Sequence, residues 1–395
     1  LSNITVTTDL ASIEKAWRSF EMYAASTPFQ TFEWLNAWYS VIGSVSNVTP
    51  AIVCGSNEDG SMAFILPLAV ERLSGSRRLV FLGRDLSDYN APLLAPDFDP
   101  GTSARDWWKR VHDTVQQASG CHHDLVFLDK MPERVGEQPN PLSALPTRLN
   151  PSHAYATGLN GDWDSFYAAK RSSHARRNDR RKFRHLQNEG VVSFRTASEH
   201  GEIRDTLDIL FNQKARSFER MGVPDLFEKP GVAEFFRQIA IKAPDLIHVS
   251  RLEVGSACVA ANLGLVAQNT YYSVLISHVD GPLSRHSPGT FHQHDLMRHA
   301  MARGCDVFDF TIGDEPFKRD WADAIYNLHD HLAAVTPLGV AVAIVTSARL
   351  QAKRFIKQTP RLWLWASRAR AGLGSLLIYL KTGKPMPKKA SKIDE

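Results

Sequence analysis

Cysteine is scarce and scattered: Cys54, Cys121, Cys258 and Cys305 are the only four in 395 residues, and no two stand at CxxC spacing. That excludes a zinc ribbon, argues against a disulfide framework, and makes a reducing compartment the expectation. HExxH is missing too, so no metal cofactor is expected. No run of eighteen apolar residues occurs, which leaves no candidate for a bilayer-spanning helix. Residues 1–10 lack a basic stretch followed by an apolar run, so no secretory signal is read there and the expected location is cytoplasmic. What is present is the composition of a globular protein, 43% apolar and 22% charged. Its length suits two domains of ordinary size.

The formal charge of +4 hides an asymmetry. Residues 337–395 hold twelve Lys/Arg and two acids, whereas the preceding 336 residues are net acidic. A mildly acidic body with a basic tail fits an enzyme carrying a surface-binding appendage, and nucleic acid is not expected as a partner. In the tail Val340, Ile344, Ala348, Ala352 and Phe355 form one helical stripe, with Arg349, Lys353, Arg354 and Lys357 beside it. Two readings stay open: a helix lying peripherally on the inner membrane face, or an appendage packed on the body.

Periodicity and turn signals read as α/β throughout. Helices are expected at 11–24, 31–42 and 102–119. Strands are expected at 50–54, 62–71, 77–82, 89–94 and 124–129, with Asn57–Gly60 turning the first hairpin. Residues 132–152, rich in Pro and Asn, read as a linker. The second half repeats the order: one helix over 162–188, a strand at 191–195, helices near 200–220 and 231–242, strands at 247–253, 257–266 and 269–277. A helix at 290–303 and a strand at 305–312 close it. Helix 102–119 ends in Gly120-Cys121 and helix 290–303 in Gly304-Cys305, an echo that suggests tandem duplication. The expected divisions are 1–150, 151–336 and the tail 337–395.

Several strings, in order, carry a family resemblance: Thr27-Pro28-Phe29-Gln30 with Trp34 and Trp38, Phe64 to Leu68, Ser87-Asp88-Tyr89-Asn90, and the Arg-rich stretch 171–186. Tyr271-Tyr272, Ser287-Pro288-Gly289-Thr290 and the run from Phe308 through Gly313, Glu315, Lys318 and Trp321 complete the set. They resemble the GNAT acyltransferases, in particular the CelD/BcsL type named for cellulose biosynthesis, which is itself similar to the FemABX aminoacyltransferases. The resemblance implies an α+β fold of two tandem GNAT-like lobes, each a mostly antiparallel mixed sheet flanked by helices. It implies acetyl-CoA as co-substrate and a small-molecule or glycan acceptor of cell-envelope or exopolysaccharide chemistry. One departure is plain: the family's Q/R-x-x-G-x-G/A phosphate loop is absent, and Ser287, Gly289 and Thr290 stand in its place.

Within that frame each candidate residue has a chemical reason. Pro288 costs nothing at a helix start, and Gly289 lets a phosphate approach the free N–H groups. With them, Tyr272 and His292 are the expected cofactor contacts. An acceptor amine must lose a proton before it can attack a thioester, so Asp309 and Glu315 are candidate bases with Lys318 to tune them. Lys318 and the acid beside it could equally form a structural ion pair. Arg177 and Arg181 on the basic helix, Tyr89 and Trp321 are the expected substrate contacts. His292, Asp295 and His299 share a helix face, but without further ligands they read as solvent-facing or capping side chains rather than a metal site. Two rival functions stay open beside acyl-CoA transfer: FemABX-like transfer from aminoacyl-tRNA, and a non-catalytic component of a polysaccharide assembly complex.

Overall fold

The computed structural model describes residues 2–101 and 103–359. The first lobe runs β1 (Asn3–Thr7), α1 (Leu10–Glu21), α2 (Phe32–Val41), β2 (Val48–Ser56), β3 (Met62–Leu73), β4 (Ser76–Phe81), β5 (Leu93–Leu94), α3 (Ala104–Gln117) and β6 (Leu125–Pro132). A small hairpin, β7 (Arg134–Val135) and β8 (Gln138–Pro139), leads to β9 (Thr147–Leu149) and β10 (Ala154–Gly158). The second lobe follows as α4 (Trp163–Lys170), α5 (Ser173–Asn188), β11 (Val192–Thr196), α6 (His200–Met221), α7 (Val232–Lys242), β12 (Ile247–Val254), β13 (Ala257–Ala267) and β14 (Thr270–His278). It ends with α8 (Pro288–Ala302), β15 (Val307–Ile312), α9 (Pro316–Arg319), β16 (Ala324–Tyr326), β17 (Leu328–Ala334) and α10 (Pro337–Gln358).

The two large sheets have the same plan. One is ordered β1-β2-β3-β4-β6-β17-β9 and the other β11-β12-β13-β14-β15-β10-β16. In each, the fourth and fifth strands are parallel and the remaining pairs antiparallel. Both contain a helix pair after the first strand and a helix before the fifth, so the expectation of two similar mixed-sheet lobes holds. The Gly-Cys echo marks equivalent corners. Gly120 and Gly304 both adopt left-handed φ, +80° and +76°, and Cys121 and Cys305 are both buried just past them.

The sixth strand of each sheet lies outside the run of its first five. β10, just before α4, opens the second lobe and pairs with β15 and β16, whereas β17 lies beyond the whole second sheet and returns to pair with β6. The linear division at 150/151 therefore does not follow sheet membership, because residues 328–334 lie in the first sheet. One apolar core spans both lobes. α2 packs on α7, with Trp34 edge-on to Phe235 at 4.9 Å.

Three expectations are corrected. The segment 132–152 is structured rather than a linker: Asn140 bonds Leu142 N at 3.1 Å and the Pro132 carbonyl at 2.9 Å, pinning a compact turn. The long helix 162–188 breaks at Arg171, where φ −125°, ψ 127° is extended, and Ser172 caps a new helix at Ala175 N. Of the strand expected at 89–94 only Leu93–Leu94 pairs, which frees Ser87–Asn90 to leave the sheet. Tertiary hydrogen bonds override strand propensity there.

α10 packs on the first sheet through Val342, Ala343 and Leu350. Its first turn lies so close that a Cβ at Gly339 would sit 1.7 Å from the Asp124 carbonyl oxygen. The expected stripe Val340, Ile344, Ala348, Ala352 and Phe355 faces outward and is exposed. The rest of the expected tail, from 360 onward, lies outside the described residues. Among these residues no helix is long and apolar enough to cross a membrane.

A shared core, and a first-sheet strand that follows the whole of the second sheet, should make the lobes unfold together. Urea denaturation followed by circular dichroism and by Trp fluorescence should give one coincident transition. A chain ending at Asn327, without β17, should lose cooperative unfolding in both lobes. Two separate transitions in the full chain would show the lobes to be independent.

Candidate active site between the lobes

The parallel ladder between β14 and β15 is short. It registers Thr270, Tyr271 and Tyr272 with Val307, Phe308 and Asp309, although β14 continues to His278. Beyond Tyr272 and Asp309 the strands diverge, which opens a wedge whose floor is that last pair. Phe308 and Phe310 alternate away from it into the core beneath α8. Asp309 faces the other lobe.

Tyr89 reaches Asp309 from across the lobe boundary. Its hydroxyl donates to Asp309 Oδ1 at 2.7 Å, and Thr311 N donates to the same oxygen at 2.7 Å. Burial pushes the Asp309 carboxyl up to about 7 against these two bonds. The Tyr89 phenol is held well above its usual range by burial and by the Asp309 charge, so it stays a donor. Tyr89 is itself held by the motif near the N-terminus. Gln30 Nε2 donates to the Tyr89 carbonyl at 2.8 Å, Trp17 Nε1 to the Gln30 carbonyl at 3.1 Å, and Trp34 Nε1 to Ser87 Oγ at 3.2 Å. Lys130 ties the same loop down through the Arg84 and Ser87 carbonyls.

Other polar groups gather here. Asp88 is raised by burial, with Lys130, the Thr311 side chain and Lys318 opposing the shift. Lys214 on α6 is half-buried and its ammonium is pushed down by burial, with Glu315 and Asp88 opposing. Tyr272 stands beside Tyr89 and Phe29, with centroids 6.4 and 6.2 Å away. Thr311 has φ +57°, a strained conformation for a β-branched residue. Lys318 bridges that bend, its ammonium on the Thr311 and Ile312 carbonyls and, at 3.0 Å, on Glu315.

The wedge leads to the N-terminus of α8. Ser287 sits there at φ +55° without a side-chain cap, and no acid lies in the first turn. Lys182 of α5 donates to Ser287 Oγ at 2.9 Å. The equivalent helix of the first lobe is closed: Ser103 caps Asp106 N at 3.1 Å and bonds the Asp106 carboxylate at 2.7 Å. Uncapped N–H groups, the helix dipole and a lysine fit an anion at α8 and not at α3.

Of the twelve site residues expected from sequence, the structure gathers Asp309, Tyr89, Tyr272 and Lys318 in one cluster. Glu315 is exposed at its edge as the partner of Lys318, so the ion-pair alternative is the arrangement present. Ser287, Gly289 and Thr290 lie together at the head of α8. Three placements are corrected. His292 is buried beneath the sheet on Ser250 Oγ at 3.2 Å, lowered to about 3 by burial, and does not point to the phosphate loop. Its neighbour His294 is also buried rather than solvent-facing, and the His299 ring stacks on His248 at 4.0 Å. Trp321 is core, lying parallel to Phe166 and Tyr167 at 6.0 and 6.1 Å. Arg177 and Arg181 are exposed on the outer side of α5, away from the cluster. Sequence reasoning gave no role to Asp88, although its string was quoted, and missed Lys214, which no local pattern marks.

The raised Asp309 carboxyl has a consequence for stability. Its folded value of about 7 exceeds the unfolded value of ~3.9. The folded state therefore holds an extra proton between those values, and the stability this confers is lost as pH rises through them. Between pH 5 and pH 8 the parent protein should lose about 2 kcal/mol that Asp309→Asn retains, measured as urea midpoints. Parallel pH curves for the two proteins would contradict this environment for Asp309.

Residues 173–319 match the family described as acetyltransferase (GNAT) domain. No curated protein matches the sequence. Among solved structures, FemX is similar with a TM-score of 0.58 at 10% identity, over 84% of this chain and 98% of that one. A conserved protein of unknown function from Bacteroides thetaiotaomicron VPI-5482 gives 0.51 at 11% identity, over 85% and 100%. The C-terminal DUF2156 domain of a candidate lysylphosphatidylglycerol synthetase from Agrobacterium fabrum gives 0.52 at 12% identity, over 86% and 96%. These likenesses concern the fold. Residues 173–319, the body of the second lobe, thus match an acetyltransferase (GNAT) domain, and the chain as a whole has a tandem GNAT-like fold.

Proposed function

We propose that the protein is an acyl-CoA-dependent acyltransferase, with acetyl as the expected group, that acylates an amine or hydroxyl acceptor in the space between its lobes. One observation carries the reading: the β14–β15 ladder ends at Tyr272 and Asp309, and the carboxyl at that point has its pKa near neutrality. The wedge and the α8 N-terminus, which no side chain caps, suit an extended chain ending in a diphosphate, with the Gly289 backbone N–H and Lys182 holding the charge, while the Thr290 N–H stays on the Ser287 carbonyl at 3.0 Å. CoA supplies the activated thioester; the rest is the chain's own work. Both bonds to Asp309 end on Oδ1, and Oδ2 is the atom that takes the acceptor's proton as the new bond forms. Tyr89 holds the carboxylate in place, Lys318 fixes the bend at Thr311, and Lys214, its ammonium pushed down by burial, is a further cation beside Glu315 and Asp88. The CelD/BcsL-type resemblance supports a glycan or envelope acceptor.

Two variants separate these roles. A Cβ at Gly289 would stand 3.3 Å from the His278 ring, so an alanine fits the free protein with a small shift, whereas any side chain crowds a phosphate. Gly289→Val should weaken acetyl-CoA binding at least ~10-fold by calorimetry while the protein stays folded. Asp309→Asn should keep CoA affinity, lower kcat by ~100-fold or more, and erase a rising limb of kcat/KM near pH 7. Unchanged CoA affinity in a folded Gly289→Val protein, or stabilisation by aminoacyl-tRNA and not by CoA, would overturn the reading.

We also propose that α10 rests on an anionic membrane surface. Its inner face is occupied by the first sheet, while Val340, Ile344, Val345 and Phe355 are exposed in a row. Arg349, Lys353 and Arg354 flank them, and residues 360–395 add eight Lys/Arg. Such cations contribute about 1 kcal/mol each near anionic lipid. Ile344→Glu with Val345→Glu, both at exposed positions, should abolish flotation with phosphatidylserine vesicles and leave the melting temperature unchanged. Equal flotation of both proteins would refute the proposal.

A further inference from the structure

A second concavity lies on the opposite face of the second sheet, between α5 and α8. It is a groove of about 340 Å³ lined by Tyr167, Phe183, Arg180 and Arg184 on one side and Phe291, His294 and Arg298 on the other. Asp179 and Asp295 complete the lining. On α8 the lining residues are spaced i, i+3, i+4 and i+7, a single helix face. The volume is at the low end of the ~300–1,000 Å³ usual for small-molecule sites. It suits one nucleoside rather than a whole coenzyme.

Its chemistry is specific. The two acids are engaged: the Tyr167 hydroxyl donates to Asp179 Oδ2 at 2.7 Å, and Arg298 donates to Asp295 Oδ1 at 2.8 Å. Arg298 also lies over the Trp163 ring at 4.5 Å, so its position is fixed. Arg180 and Arg184, one turn apart, make no ion pair or hydrogen bond among the described residues. His294 is 5% exposed, yet its Nε2 has no hydrogen-bond partner. A buried ring nitrogen without a partner is costly and points to a group that completes it. Phe183 and Phe291, with centroids 5.0 Å apart, give the groove flat apolar walls.

The groove is continuous with the proposed diphosphate site. Lys182 of α5 meets Ser287 at the head of α8, and the next residue on α5, Phe183, meets Phe291 about one turn further along. From this, resting on the acyl-CoA reading above, we propose that the α5–α8 groove receives the adenosine 3′-phosphate end of the coenzyme. The adenine lies on the edge-to-face Phe183–Phe291 pair with His294 Nε2 on its edge, and Arg180 and Arg184 hold the 3′-phosphate. The basic helix thereby gains a ligand through its inner arginines, while Arg177 and Arg181 on its outer side stay in solvent.

Calorimetry with CoA, dephospho-CoA and adenosine 3′,5′-bisphosphate tests this on the full chain. The parent protein should bind CoA at least tenfold more tightly than dephospho-CoA. Arg180→Ala with Arg184→Ala, both exposed, should reduce that preference to about twofold or less and leave dephospho-CoA affinity unchanged. His294→Phe should weaken both ligands alike. If CoA binds but the parent shows no preference, or the preference survives in the double variant, the groove proposal fails and the acyl-CoA reading stands. If CoA does not bind while the bisphosphate does, and only with both arginines present, the groove stands as a nucleotide site and the coenzyme reading fails. Arginine-dependent binding of an RNA ending in CCA, without CoA binding, would assign the groove to a tRNA terminus and overturn the proposal. Binding of none of these ligands overturns both.

Discussion

The return of β17 to the first sheet is the constraint on which the rest of the molecule depends. The second sheet is built from the contiguous run β10 to β16, but the first is completed by β17, which follows all of it and pairs with β6 and β9. The first lobe cannot close its sheet from its own contiguous segment. That return also fixes the orientation of the lobes, because β17 is hydrogen-bonded along its length in the first sheet. With α2 on α7 and one apolar core between them, the interface has the character of a domain interior rather than of a mobile joint. A hydrogen bond of 2.7 Å from Tyr89 to Asp309, residues 220 apart in sequence, is maintained only because that interface is rigid.

The candidate site follows from that geometry. A carboxyl where a ladder ends would ordinarily be solvated and ionised far below neutrality. Here the first lobe lays the loop 87–90 over it, and the loss of water raises its pKa toward 7. The same loop brings Asp88 and depends on Lys130, whose backbone N donates to Asp330 Oδ1 on β17, the strand that returns from beyond the second sheet. The chemistry of the second lobe is therefore set by the first.

Much of this was legible in the sequence. The duplication was visible because glycine at the helix-to-strand corner has a local reason, left-handed φ, which leaves the same mark in both halves. The strand at 305–312 was legible too, and the alternation of Phe308, Asp309 and Phe310 puts the two rings on one face and the acid on the other, since the period of two is a backbone property. What could not be read was pairing between distant segments: β17 and β9 are short and carry no signal of the sheet they join. Nor could burial of His292 and His294 be foreseen, because a histidine on a helix has the same spacing whether it faces core or water. Lys214 belongs to the same class. It is marked by its surroundings, not by its neighbours in sequence. Residues 89–92 misled for the converse reason, since Tyr89 serves a contact across the lobe boundary rather than a strand.

The two lobes share a topology and yet only one is left open. In the first, the parallel pair β4–β6 also registers briefly, at Arg78 with Leu125 and Leu79 with Val126. Its wedge is filled by the chain itself: Lys130 reaches the Arg84 and Ser87 carbonyls, and Asn90 N donates to the Lys130 carbonyl at 3.1 Å. The helix that would face a phosphate there is capped by Ser103 and carries Asp106 in its first turn, so an anion is repelled where the second lobe invites one. The segment that plugs the first wedge is the one that carries Tyr89 to Asp309. Closing one wedge and desolvating the carboxyl at the other are thus a single structural act. Without the first lobe that carboxyl would stand in water, ionised at all ordinary pH values. In this chain the first copy of the fold serves as the low-dielectric wall of the second copy's candidate site.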